Sequence, residues 1–124
     1  MKKLKIRFED LRNIKNYDII TTNKMILKSG KIKINDREYN YKIISYPASI
    51  SFVLESLNNN PLLAIDLYVD GSFYLFTNRK NYKRIFPFLN LEEIYNQLKF
   101  YYNKFYSVYS LWKIKSLILI WAIA

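Results

Sequence analysis

A chain with neither histidine nor cysteine has few ways to move a proton or hold a metal, and this one contains neither. The imidazole base, the thiolate nucleophile and most zinc sites are removed at once. What remains for proton transfer is ten carboxylates, with lysine and tyrosine. Two acid pairs are adjacent, Glu9-Asp10 and Glu92-Glu93. Sequence neighbours point in different directions on a helix, so neither pair makes a catalytic dyad. Both sit where helix starts are expected, and acids there favour the helix dipole. Asp66 stands apart, an acid inside the otherwise apolar run Leu62–Val69. A buried carboxylate must be paired or protonated, which admits a metal ligand, a perturbed acid or a structural ion pair. A two-metal nuclease needs a second acid and a lysine close by, and the strand pattern places Leu75 opposite Asp66 instead. The structural reading is preferred. The two glycines, Gly30 and Gly71, are both taken as turn residues, so no phosphate-binding glycine loop is left. No catalytic residue, metal ligand or cofactor is expected.

Binding is better provided for. Asn78–Arg84 places Arg79, Lys80, Lys83 and Arg84 around Tyr82 in what reads as a connecting loop. Cations hold phosphates and an intervening tyrosine stacks on a base, the combination used by single-strand binders. Lys31, Lys33 and Lys42 offer a second positive surface, opposed only by Glu38. Further on, Lys99 to Tyr106 mixes aromatics and lysines at spacing that suits a core stripe. That helix is too aromatic all round for one face to hide it. Phe100, Tyr106, Tyr109, Trp112 and Trp121 are therefore expected to meet another subunit or a partner.

The composition sets the frame for both surfaces. A chain of 124 residues with 51% apolar and 24% charged residues is ordinary globular stock and is read as one domain, residues 1–124. The net charge of +10 attracts nucleic acid or an acidic protein surface. Lysine, isoleucine, asparagine and tyrosine are what AT-rich codons favour, so part of that charge is compositional bias. Such small, basic compositions suit phage, viral or mobile-element accessory proteins. The first seven residues carry charge without an apolar stretch, and the apolar run Ser116–Ala124 is far short of the ~20 residues that span a bilayer. A cytoplasmic protein away from the membrane is the expectation.

The elements that must position these residues read as follows. Residues 2–8 alternate as a strand does, while Phe8, Leu11 and Ile14 equally suit the start of a short helix through Tyr17. Lys24–Lys28, Lys31–Ile34 and Arg37–Tyr46 form a three-stranded meander, turning at Ser29-Gly30 and Asn35-Asp36. In that register Ile32 faces Tyr39, Lys33 faces Glu38, and Met25 and Leu27 face Ile34 and Ile32. Ala48–Leu57 carries Ile50, Val53, Leu54 and Leu57 at helical spacing. Leu62–Val69 and Ser72–Thr77 pair across a two-residue Asp70-Gly71 turn, with Ile65, Leu67, Tyr74 and Phe76 sharing one face. Asn90 caps a long helix with Glu93 three residues on, followed by Leu91, Ile94, Leu98, Tyr101, Phe105, Val108 and Trp112. Residues 113–124 suit a helix or a buried strand equally.

The expected fold is α+β, an antiparallel sheet with a short helix between its hairpin systems and a long helix on one face. The expected function is a non-enzymatic accessory protein binding nucleic acid or a nucleic-acid-handling protein. The alternative is a protein–protein module, an inhibitor or assembly subunit, using the aromatic helix and apolar C-terminal segment. Either way a homodimer is expected.

Overall fold

The computed structural model describes residues 3–9 and 24–104. Its centre is a six-stranded sheet: β1 (Lys5–Phe8), β2 (Met25–Ile34), β3 (Arg37–Ser45), β4 (Ser49–Glu55), β5 (Pro61–Tyr68) and β6 (Phe73–Thr77). Strands β2 to β6 run as a continuous antiparallel meander, and β1 closes the order β1-β6-β5-β4-β3-β2 by pairing parallel to β6. Two helices follow, α1 (Arg79–Ile85) and α2, described over residues 91–104. The architecture is α+β.

Alternation decides which residues point to which side. Ile43 of β3, Ile50, Phe52 and Leu54 of β4, Leu63, Ile65 and Leu67 of β5, and Phe73 and Leu75 of β6 lie in register on one face and are buried. Ile85 of α1 and Ile94 and Leu98 of α2 cover that face, and Tyr95 meets Phe73 edge-on at 5.2 Å. The Asn90 cap forms as its spacing predicts, its side-chain oxygen accepting from the Glu93 N–H at 3.2 Å.

Three expectations are overturned. Ser29-Gly30 makes no turn; both lie inside β2, and Met25 faces Ser45 rather than Ile34. Gly30 is small for packing: a Cβ there would lie 3.2 Å from the Tyr41 ring on the neighbouring strand. The true turn is Asn35-Asp36, both left-handed (φ 48° and 63°), as a tight two-residue hairpin requires, and Ile32 faces Tyr39 and Lys33 faces Glu38 as expected.

Ala48–Leu57 is likewise no helix. Pro47-Ala48 is a two-residue turn closed by the Tyr46 N–H to the Ser49 carbonyl (2.8 Å), and β4 then alternates Ile50, Phe52 and Leu54 inward. Its β-branched and aromatic residues favour the strand over a helical spacing that was coincidental.

The third correction is one residue of loop length. β5 and β6 are joined by Val69-Asp70-Gly71, not by Asp70-Gly71 alone: Tyr68 N–H donates to Ser72 C=O and Gly71 N–H to Tyr68 C=O, both at 2.9 Å. Gly71 has φ 86°, the left-handed residue that makes a bulge in three-residue hairpins. The Asp70 carboxylate accepts from the Ser72 N–H at 2.8 Å and fastens the loop. A one-residue slip turns every side chain of a strand over. Asp66 consequently faces Tyr74 and not Leu75, and Ile65 faces Leu75.

Candidate nucleic-acid interface

Asn78–Arg84 is not a loop. The Asn78 side chain accepts from the Asn81 N–H at 2.8 Å and starts α1 there. Asn81, buried, donates its side-chain amide to Leu62 C=O (3.1 Å), and Thr77 Oγ1 reaches the same carbonyl (3.3 Å). These bonds tie α1 to the start of β5.

The helical arrangement keeps the four cations of the expected cluster on one side and takes its tyrosine away. Tyr82 is half-buried, stacked on Phe86 at 4.9 Å and edge-on to Phe8 at 5.4 Å, and with Phe86 it packs against the hydrophobic core, so its ring is spent on packing. The Arg79 guanidinium lies 4.4 Å over the Phe8 ring. Arg79, Lys80, Lys83 and Arg84 are all exposed, the last two in the final helical turn, where the dipole favours cations. Arg79, Lys80, Lys83 and Arg84, at i, i+1, i+4 and i+5, share one exposed side of α1, and it is Tyr82 that packing withdraws from them. The missed signal was the i, i+4 pairing of Asn81 with Ile85 and of Tyr82 with Phe86, which marks one turn of helix.

The register sets Lys31, Lys33 and Lys42 on one face of the sheet, since Lys42 pairs with Ser29 two residues before Lys31. Lys31 and Lys33 are exposed, across from Asn40 and Glu38. Lys42 approaches Glu55 to 3.0 Å, the two side chains keeping 33% and 8% of their surface exposed. Glu55 Oε1 has no aligned hydrogen bond, so this contact is one of charge alone. Lys42 is committed to the fold.

What the loop length brings together is a site on the other face of the sheet. Register places Tyr74 and Phe76 beside Ala64, Asp66 and Tyr68. Tyr74 meets Tyr68 edge-on at 5.5 Å and lies roughly parallel to Phe76 at 5.9 Å, and all three rings are half-exposed. Parallel pairing sets Lys5 against Tyr74 and Arg7 against Phe76. Lys5 Nζ and the Arg7 guanidinium carbon then stand 5.7 and 5.2 Å from the Tyr74 ring centre. Arg7, Glu9, Asp70 and Ser72 join the three aromatics around a cleft of about 380 Å³. Further across this face Ile44 is buried, and Ser51 and Ala64 keep only 3% exposure, so among the described residues the accessible aromatic surface of this face lies on the β1–β6 side.

Asp66, at the edge of that site, accepts from Ser51 Oγ at 2.6 Å, an interstrand contact that gives the carboxylate a structural partner. No three acidic side chains converge as a metal site among the described residues.

Of the expected interface residues, Phe100 projects from α2 with 59% exposure, edge-on to Tyr101 and 6.0 Å from Lys104 Nζ. Tyr106, Tyr109, Trp112 and Trp121, with the whole apolar run Ser116–Ala124, lie outside the described residues. No helix among the described residues is long and apolar enough to cross a membrane. Comparison with known proteins supplies no relative: no family model, curated protein or solved structure matches the chain.

Proposed function

We propose that this chain is a non-enzymatic, cytoplasmic binding protein for single-stranded nucleic acid, taken at the β1–β6 side of the sheet. The observation that carries the reading is the half-exposed trio Tyr68, Tyr74 and Phe76 with Lys5 and Arg7 standing beside it. Exposed aromatics stack on any base, and adjacent cations neutralise the phosphates that follow it. Lys5 makes the longer contact with Tyr74. It is the cation a stacking base displaces, and its ammonium then moves to the adjoining phosphate. Glu9 and Asp70 on the rim disfavour phosphate there but accept from the amino groups of bases. The +10 net charge raises the encounter rate without adding specificity.

The test is fluorescence anisotropy with labelled oligo-dT and oligo-rU over a salt series. Binding that weakens steeply with salt and is reduced in Tyr74→Leu supports the proposal. No binding at low salt overturns it.

Phe100, bare on α2, favours a second reading, docking of a protein partner or a second copy through that helix. Association that persists in high salt and is lost in Phe100→Ser, followed by light scattering, identifies that case.

A further inference from the structure

We infer that a second cleft, formed by the start of β3, the β4–β5 loop and α1, is a seat for a phosphate ester. Its two guanidiniums take the phosphate, and its apolar floor takes the organic group. The cleft encloses about 350 Å³, within the range of roughly 300–1,000 Å³ typical of small-ligand sites. Arg37 and Arg84 both line it, with Tyr39, Leu57, Leu62 and Ile85 supplying apolar surface.

Three observations single it out from a merely basic surface. First, neither guanidinium has an ion-pair partner among the described residues, although Glu38 lines the same cleft. One carboxylate against two guanidiniums leaves the cleft cationic. Second, both arginines are rooted on fixed backbone. Arg37 follows the left-handed Asn35-Asp36 turn and pairs with Ile34, and Arg84 rides on α1, which Asn81 bonds to Leu62 C=O. Leu62 itself lines the cleft, so that bond joins the helix carrying Arg84 to the cleft wall. Third, the walls come from three separate stretches of chain, residues 37–39, 56–62 and 81–85. The planar fork of arginine matches phosphate oxygens two at a time, and two forks suit a terminal phosphate.

The seat is distinct from the aromatic cleft. Leu62 lines one and Tyr68 the other, six strand residues apart along β5, or about 20 Å. It therefore stands whether or not the aromatic cleft binds bases.

The experiment titrates adenosine 5′-monophosphate, inorganic phosphate and adenosine into ¹⁵N-labelled protein. The nucleotide is expected to shift the amides of residues 37–39, 56–57, 62 and 81–85, with inorganic phosphate at least about tenfold weaker and adenosine without effect. Arg37→Gln and Arg84→Gln should each weaken the nucleotide by about tenfold or more, as loss of a charged hydrogen bond does, at unchanged melting temperature. Tyr74→Leu should leave these shifts unaltered. Oligo-dT with and without a 5′-phosphate then separates the sources. Preference for the phosphorylated strand over the mononucleotide assigns a strand end, and the reverse assigns a free nucleotide. Absence of shifts at millimolar nucleotide, equal binding of inorganic phosphate, or undiminished binding in either arginine variant overturns the seat.

Discussion

Tyr74→Leu separates stacking from charge, because leucine keeps apolar bulk on the sheet while removing the ring. In the folded protein that ring faces two cations, at 5.2 and 5.7 Å, and two aromatic neighbours. Exposed cation–π contacts are worth about 0.5–1 kcal/mol each, so the substitution should cost about 1–2 kcal/mol of stability. The protein should remain folded, which a urea melt verifies. Loss of one stacked base costs about 1–3 kcal/mol, so oligo-dT affinity should fall roughly 5- to 150-fold. The slope of log affinity against log salt should not change, since no charge is removed.

Lys5→Gln with Arg7→Gln should do the opposite. Two lost phosphate contacts flatten the single-strand slope by about 1.4. Between 50 and 200 mM salt the loss of affinity should then be about sevenfold smaller than in wild type. Anisotropy titrations at four salt concentrations read both effects. A folded Tyr74→Leu that binds like wild type, or a double variant with the wild-type slope, refutes the stacking-and-phosphate geometry.

Other consequences concern the scaffold. Asn78→Ala removes the side-chain cap of α1 and should cost about 0.5–2 kcal/mol, read as a shifted urea midpoint. Lys42→Met strands the 8%-exposed Glu55; the loss should be about 2 kcal/mol, below the 3–5 of a fully buried pair because Lys42 is one-third exposed, and adding Glu55→Leu should recover most of it. Gly71→Ala forces a side chain into φ 86° and should cost about 1–2 kcal/mol by thermal melt, loosening the hairpin that holds Tyr68 and Tyr74 together.

Where sequence and structure agree, the signals were local and redundant. Asn35-Asp36 offered two residues that tolerate left-handed backbone, and the polar–apolar alternation on both sides fixed Ile32 against Tyr39. Asn90 with Glu93 marked a helix start that Ile94 and Leu98 then buried. Where they differ, one local pattern had two physical solutions. Ile50, Val53, Leu54 and Leu57 fit a helix, yet Ile50, Phe52 and Leu54 fit a strand, and pairing with β3 and β5 on either side favours the strand. Glycine permits a turn at Gly30, whereas in the folded chain it lies inside β2, where a Cβ would press 3.2 Å against the Tyr41 ring. Nothing in the β1 residues announces a parallel partner some seventy positions away.

The aromatic cleft was hidden by the smallest of these ambiguities. Every residue in it was visible, but a two-residue Asp70-Gly71 turn would put Tyr74 and Phe76 on the face of Ile65 and Leu67, under the helices. The bonds that admit Val69 as a third loop residue move them to the face where Lys5 and Arg7 stand. Meanwhile the residues that looked most like a binding loop were drawn into α1 by Asn78, and Tyr82 was consumed by Phe8 and Phe86. Composition made a basic, aromatic surface certain to exist somewhere. Strand register, set by one left-handed glycine, decides which aromatics it presents.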